Sequence, residues 1–107
     1  MNTQLSPAAL VRCGNSAGGV WVVRCEAGRE GFWHLQTKAG HTYVTRVARS
    51  SDLRLVAPTP IFKVGEVFTF EGRAVSVVED LGDEVMVVSG LSRVTAPKSS
   101  LVLESRL

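Results

Sequence analysis

No window of this 107-residue sequence sustains the i, i+3, i+4, i+7 apolar spacing of an amphipathic helix for a helix's length. A helical bundle is therefore excluded, and helix is expected in no more than one or two short turns. The best helical start is Ser6-Pro7-Ala8-Ala9-Leu10, where Ser6 would cap and Pro7 would open a single turn. No uninterrupted apolar run is long enough to span a bilayer, so no membrane partner is expected. The start, Met1 to Pro7, has no basic segment followed by a long apolar one, which argues against a secretory leader. Cysteine is scarce: Cys13 and Cys25 are too few for a disulfide framework and read as reduced, metal-free thiols. Composition is otherwise that of an ordinary globular chain, with 45% hydrophobic and 21% charged residues. The sequence reads as a soluble, cytoplasmic protein.

Signatures of catalysis are missing as well. No Gly-x-Ser-x-Gly elbow occurs, and no strand–turn–helix context would build one. The Gly-rich stretch Gly14-Asn15-Ser16-Ala17-Gly18-Gly19 lacks the lysine of a phosphate loop and leads into a strand. Cys13, Cys25, His34 and His41 are separated by eleven, eight and six intervening residues, unlike the tight pairs of a zinc site. The acidic run Glu79-Asp80-Leu81-Gly82-Asp83-Glu84 joins two apolar segments and reads as a solvated hairpin turn. Neither a metal nor a cofactor is expected, and the chain reads as noncatalytic.

What is present is strand and turn. Val20-Trp21-Val22-Val23, Phe32-Trp33-His34-Leu35, Tyr43-Val44-Thr45, Val75-Ser76-Val77-Val78 and Val85-Met86-Val87-Val88 are rich in β-branched and aromatic residues. Glycines bound each of them. Two prolines in Ala57-Pro58-Thr59-Pro60 mark a linker, because each lacks an amide donor and holds its predecessor extended.

The two sides of that linker resemble each other in order of events. Leu10-Val11-Arg12-Cys13-Gly14 lines up with Ile61-Phe62-Lys63-Val64-Gly65, Trp21 and Val23 with Val75 and Val77, and Trp33-His34-Leu35 with Met86-Val87-Val88. Arg46-Val47 falls on Arg93-Val94, and Ser51-Asp52-Leu53 on Ser99-Ser100-Leu101. An internal repeat is expected, with Val47, Val94, Leu53 and Leu101 all buried. Units of about forty-five residues have marginal cores, so the two should share a buried interface or the chain should oligomerise.

Each unit reads as an opening strand, a loop, two strands joined at a glycine, a fourth short strand, a polar turn and a last strand. That order resembles SH3-like small barrels of the Tudor and KOW kind. Arg49-Ser50-Ser51-Asp52-Leu53 and Pro97-Lys98-Ser99-Ser100-Leu101 are similar to the single 3₁₀ turn before their last strand, and Phe62-Lys63-Val64-Gly65-Glu66-Val67 to their opening strand. The resemblance implies an all-β fold of two tandem SH3-like antiparallel barrels packed together, residues 1–57 and 58–107. It implies no ligand.

Charge separates the halves. Net charge is +2 for the chain, but +4 for residues 1–58 and −2 for the rest. The basic half interleaves cations and rings, and Arg24, Arg29, His34, Lys38, His41, Arg46 and Arg49 are the candidate contacts to nucleic acid. Strand parity sends Trp21, Val23, Trp33 and Leu35 inward and Val22, Arg24, Phe32 and His34 outward. Lys38, Arg46 and Arg49 are then expected on one face, with His41 beside them. The leading expectation is a nucleic-acid-associated small barrel. The alternative is a protein-interaction or self-associating module whose outward apolar patch comprises Val22, Phe32 and Phe70, and a small oligomeric enzyme ranks third.

Overall fold

The computed structural model describes residues 5–14 and 19–106. Two antiparallel sheets account for most of it. The first contains β1 (Leu10–Cys13), β2 (Trp21–Glu26), β3 (Phe32–Ala39), β4 (Thr42–Arg49) and β5 (Leu53–Ala57), in the spatial order β4-β3-β2-β1-β5. A 3₁₀ turn, Ser50–Asp52, joins β4 to β5. The second contains β6 (Val67–Phe70), β7 (Arg73–Asp80), β8 (Glu84–Ser89) and β9 (Ser92–Pro97), paired in chain order. The chain is all-β apart from α1 (Lys98–Arg106). No helix among the described residues is long and apolar enough to cross a membrane.

The strands form where alternation meets a core. In the first sheet Val11, Val23, Leu35, Ala48 and Leu53 bury one face, with Trp21 and Trp33 packed against them. In the second, Val75, Val77, Val85, Val87 and Ala96 do the same. The second core extends across the linker, taking in Ala8 and Val22 of the first half, and Leu10 packs against it. Val22 points away from the first core, as parity requires, but it is fully buried between the halves rather than exposed. The outward patch expected of Val22, Phe32 and Phe70 therefore does not form, since Phe70 too packs against the second core.

The two sheets share local devices. A four-residue turn precedes each opening strand, closed by Ala9 N to Ser6 O and by Glu66 N to Lys63 O, both at 3.1 Å. The third residue has positive φ in both, Ala8 at 73° and Gly65 at 94°, as such turns require. Each turn then exchanges two hydrogen bonds with a valine: Ala8 N and Ala9 O with Val23, and Gly65 N and Glu66 O with Val77. A bulge follows that valine in both sheets. Ser6-Pro7-Ala8-Ala9 is thus a turn and not a helical start.

Three expectations are corrected here. Val47 is 51% exposed because it lies on the outer side of β4 opposite His34, and Val94, although on the same side of its sheet as Val87 and Ala96, is 41% exposed on the edge strand β9, while Leu53 and Leu101 are buried as expected. Residues 61–66 are not a strand. Side-chain acceptors capture their amides, Asp80 Oδ2 that of Phe62 at 2.9 Å and Glu66 Oε1 that of Lys63 at 2.6 Å, and the strand starts at Val67. The second half ends not in a strand but in α1, a nine-residue helix longer than the short turns expected. Packing explains it: Leu101, Val102 and Leu103 are consecutive and all buried, a pattern no solvent-edged strand allows. Arg24 donates to Ser100 Oγ at 3.0 Å and joins β2 to the helix.

Candidate functional site

β3 and β4 pair without interruption from Phe32↔Arg49 to Ala39↔Thr42, closing on the two residues Gly40 and His41. Directly opposed residues share a face. Trp33 and Ala48, Leu35 and Arg46, and Thr37 and Val44 face the core side, a side fixed by Leu35 (0% exposed). Phe32 and Arg49, His34 and Val47, Gln36 and Thr45, and Lys38 and Tyr43 face the other way.

That outer face carries cations and rings along its length. At one end the guanidinium carbons of Arg29 and Arg49 lie 5.2 and 5.5 Å from the centre of the half-buried Phe32 ring. Those distances are within cation–π range. His34 is exposed one row further on, and Lys38 stands beside the exposed Tyr43 near the hairpin tip. His41 is exposed at the tip itself. Phe32 and Lys38 are six strand steps apart, a reach of about 20 Å. No Asp or Glu occurs between Gly31 and Ser51, although Glu71 and Glu104 of the second half line a cleft with Gln36 and Tyr43 of this face.

The seven candidate contact residues do not all assemble. Arg29, His34, Lys38 and Arg49 share the outer face or its margin, with His41 at the tip. Arg46 falls on the opposite face by register, which corrects the expectation that it would sit with Lys38 and Arg49. It still lines a cleft of about 380 Å³ with Phe32, Arg49 and Asp52 at the unpaired side of β4. Arg24 is set apart, half-buried at the bulge and bonded to Ser100.

Tyr43 and Val47 complete the face and were not among the candidates. Counting pairs outward from Gly40-His41 would have placed both opposite Lys38 and His34. Cys13 is buried and Cys25 exposed. Among the described residues no three His, Cys, Asp or Glu side chains are grouped to hold a metal ion. Comparison with protein-family models, with curated proteins and with solved structures finds no match.

Proposed function

We propose that this chain is a noncatalytic module that holds single-stranded nucleic acid along the outer face of the β3–β4 hairpin. The observation that carries the reading is the register: it turns Lys38, Tyr43, His34, Phe32 and Arg49 to one side of a ribbon with no carboxylate. Cations there neutralise phosphates, and an exposed ring such as Tyr43 offers a base a surface to stack on. β4 is the open edge of the five-stranded sheet, and exposed rings beside it offer stacking surfaces to unpaired bases, which favours an unpaired strand over a duplex. The SH3-like reading of the first half is supported by its four-strand meander, its 3₁₀ turn and the return of β5 beside β1.

A titration of labelled single- and double-stranded oligonucleotides at two salt concentrations tests the proposal. The single strand is expected to bind more tightly, with affinity falling as salt rises. Lys38→Ala and Arg49→Ala should each flatten the log–log salt slope by about one unit or slightly less, and Glu84→Ala should leave it unchanged. Absence of salt-sensitive binding to either form would remove the nucleic-acid reading. The protein-interaction reading rests on a different feature, the unpaired edge of β4 with Tyr43, Val44 and Val47 at least 40% exposed. It expects no such salt dependence and the loss of a protein contact on Phe32→Ala.

A further inference from the structure

α1 packs against β2 and β3 from the side to which Val22 and Arg24 point, and a cleft of about 190 Å³ lies between the helix and Tyr43. The cleft adjoins the outer face of the hairpin, because Gln36 and Tyr43 belong to both. Ser100 and Glu104 form its far wall, four residues apart and so neighbours on one side of the helix. Arg24 lines the same wall, its Nη1 donating to Ser100 Oγ at 3.0 Å.

A guanidinium and a carboxylate are thus brought to one wall, about one helical turn apart, without pairing. Among the described residues the only ion pair is that of Lys98 with Asp80. Glu104 Oε2 is buried and takes no hydrogen bond from any described residue. A carboxylate oxygen held from water without a donor is costly, and a donor entering the cleft relieves it. The remaining lining suits a flat ring: Leu103 is buried at the wall, and Tyr43 is an exposed aromatic at the mouth.

We propose that this cleft is a guanine pocket, an inference that rests on the nucleic-acid reading and gives that face a base preference. Along one edge guanine presents the acceptor O6 and then two donors, N1–H and the N2 amino group. Arg24 has only donors to offer and Glu104 only acceptors, so O6 goes to the guanidinium and both N–H groups to the carboxylate. The other bases mismatch. Thymine and uracil place a carbonyl where guanine has its amino group, and adenine and cytosine place an acceptor nitrogen where guanine has N1–H. Tyr43 is the surface on which the base stacks, and Lys38, its direct partner across the hairpin, stands beside it for the phosphate. Glu71, exposed at the rim, repels the backbone, so that a base enters and not a phosphate.

Fluorescence anisotropy with labelled oligothymidines, each carrying one central guanine, hypoxanthine, adenine or cytosine, tests the pocket. One guanine should tighten binding about tenfold over the all-thymine strand, whereas adenine or cytosine should not. Hypoxanthine, which lacks the N2 amino group, should recover only part of that gain. Glu104→Ala should abolish the guanine gain and leave the all-thymine strand bound as before, which also reports an intact fold. Glu104→Gln, which keeps the shape but replaces one acceptor oxygen with a donor, should lose most of the gain. Salt-sensitive binding of the all-thymine strand with no gain from guanine would overturn the pocket and leave the nucleic-acid reading standing. A guanine gain that survives both substitutions would do the same. Absence of salt-sensitive binding by every strand would remove both.

Discussion

Asp80 accepts hydrogen bonds on both carboxylate oxygens, from Phe62 N and Lys98 Nζ on one and from Gly82 N on the other. Lys98 Nζ also donates to Pro60 O at 2.8 Å. One ion pair thus fastens the linker, β7 and the start of α1 together. Partial burial pushes the Asp80 pKa up, but the Lys98 hydrogen bond, the Phe62 and Gly82 amides and the lysine's charge outweigh it. The result is a fall from 3.8 to about 2. A depressed carboxyl pKa contributes stability above the unfolded value, and the contribution fades as pH drops from near 4 toward 2. Asp80→Asn should therefore cost about 2 kcal/mol at pH 7, partly by leaving the buried Lys98 without its counter-charge. Urea titrations at pH 7 and at pH 2 should show the gap between wild type and variant closing at the acid end. An equal gap at both pH values would mean that the ion pair does not hold this junction.

Among the elements, the hairpin between β6 and β7 is the clearest case of local strain. Phe70 pairs with Arg73, which leaves Glu71 and Gly72 as a two-residue loop, both with positive φ at 52° and 77°. Glycine takes that conformation freely, whereas glutamate does not, and Asn-Gly is the favoured pair for such a turn. Glu71→Asn should stabilise the chain by about 0.5–1 kcal/mol, read as a raised urea midpoint at unchanged slope. A neutral or lower midpoint would contradict the turn assignment.

The same scale shows what the sequence made legible. β2, β3, β4, β7 and β8 announce themselves by β-branched and aromatic residues between glycines, and the 3₁₀ turn at Ser50–Asp52 by its resemblance to small barrels. β6 was displaced because Ile61-Phe62-Lys63-Val64 carries strand-like apolarity. Only tertiary partners, Asp80 above all, hold it as a loop. α1 is not legible because Ser99, Ser100 and Val102 are weak helix formers and Lys98-Ser99-Ser100-Leu101-Val102-Leu103 has no amphipathic spacing. Its helix is imposed by burial on several sides. At the site, Lys38 and Arg49 are legible as cations near rings and His34 as a polar neighbour, but Arg46 is sorted from Arg49 only by the hairpin register.

For the molecule as a whole, Val22 marks where reading one strand at a time stops. Alternation correctly turns it out of the first core, yet nothing local reveals that the second half covers it. The expected sharing of an interface between two marginal halves points that way, and the core spanning Ala8, Val22, Val77 and Leu101 realises it. Val22→Ala should lower stability by about 2 kcal/mol. Fluorescence of Trp21 and Trp33 and far-ultraviolet circular dichroism should fall in one common urea transition, with or without the substitution. Two separated transitions would show that the halves stand independently.

The most direct test of the proposed nucleic-acid face is residue-resolved. Amide chemical shifts of the isotopically labelled chain can be followed as a short oligothymidine is added at low salt. Binding on the outer face predicts saturable shifts at Phe32, His34, Lys38, Tyr43 and Arg49, reversed by added salt, with little change along β7 and β8. Shifts confined to the second sheet, or none at millimolar oligonucleotide, would contradict it.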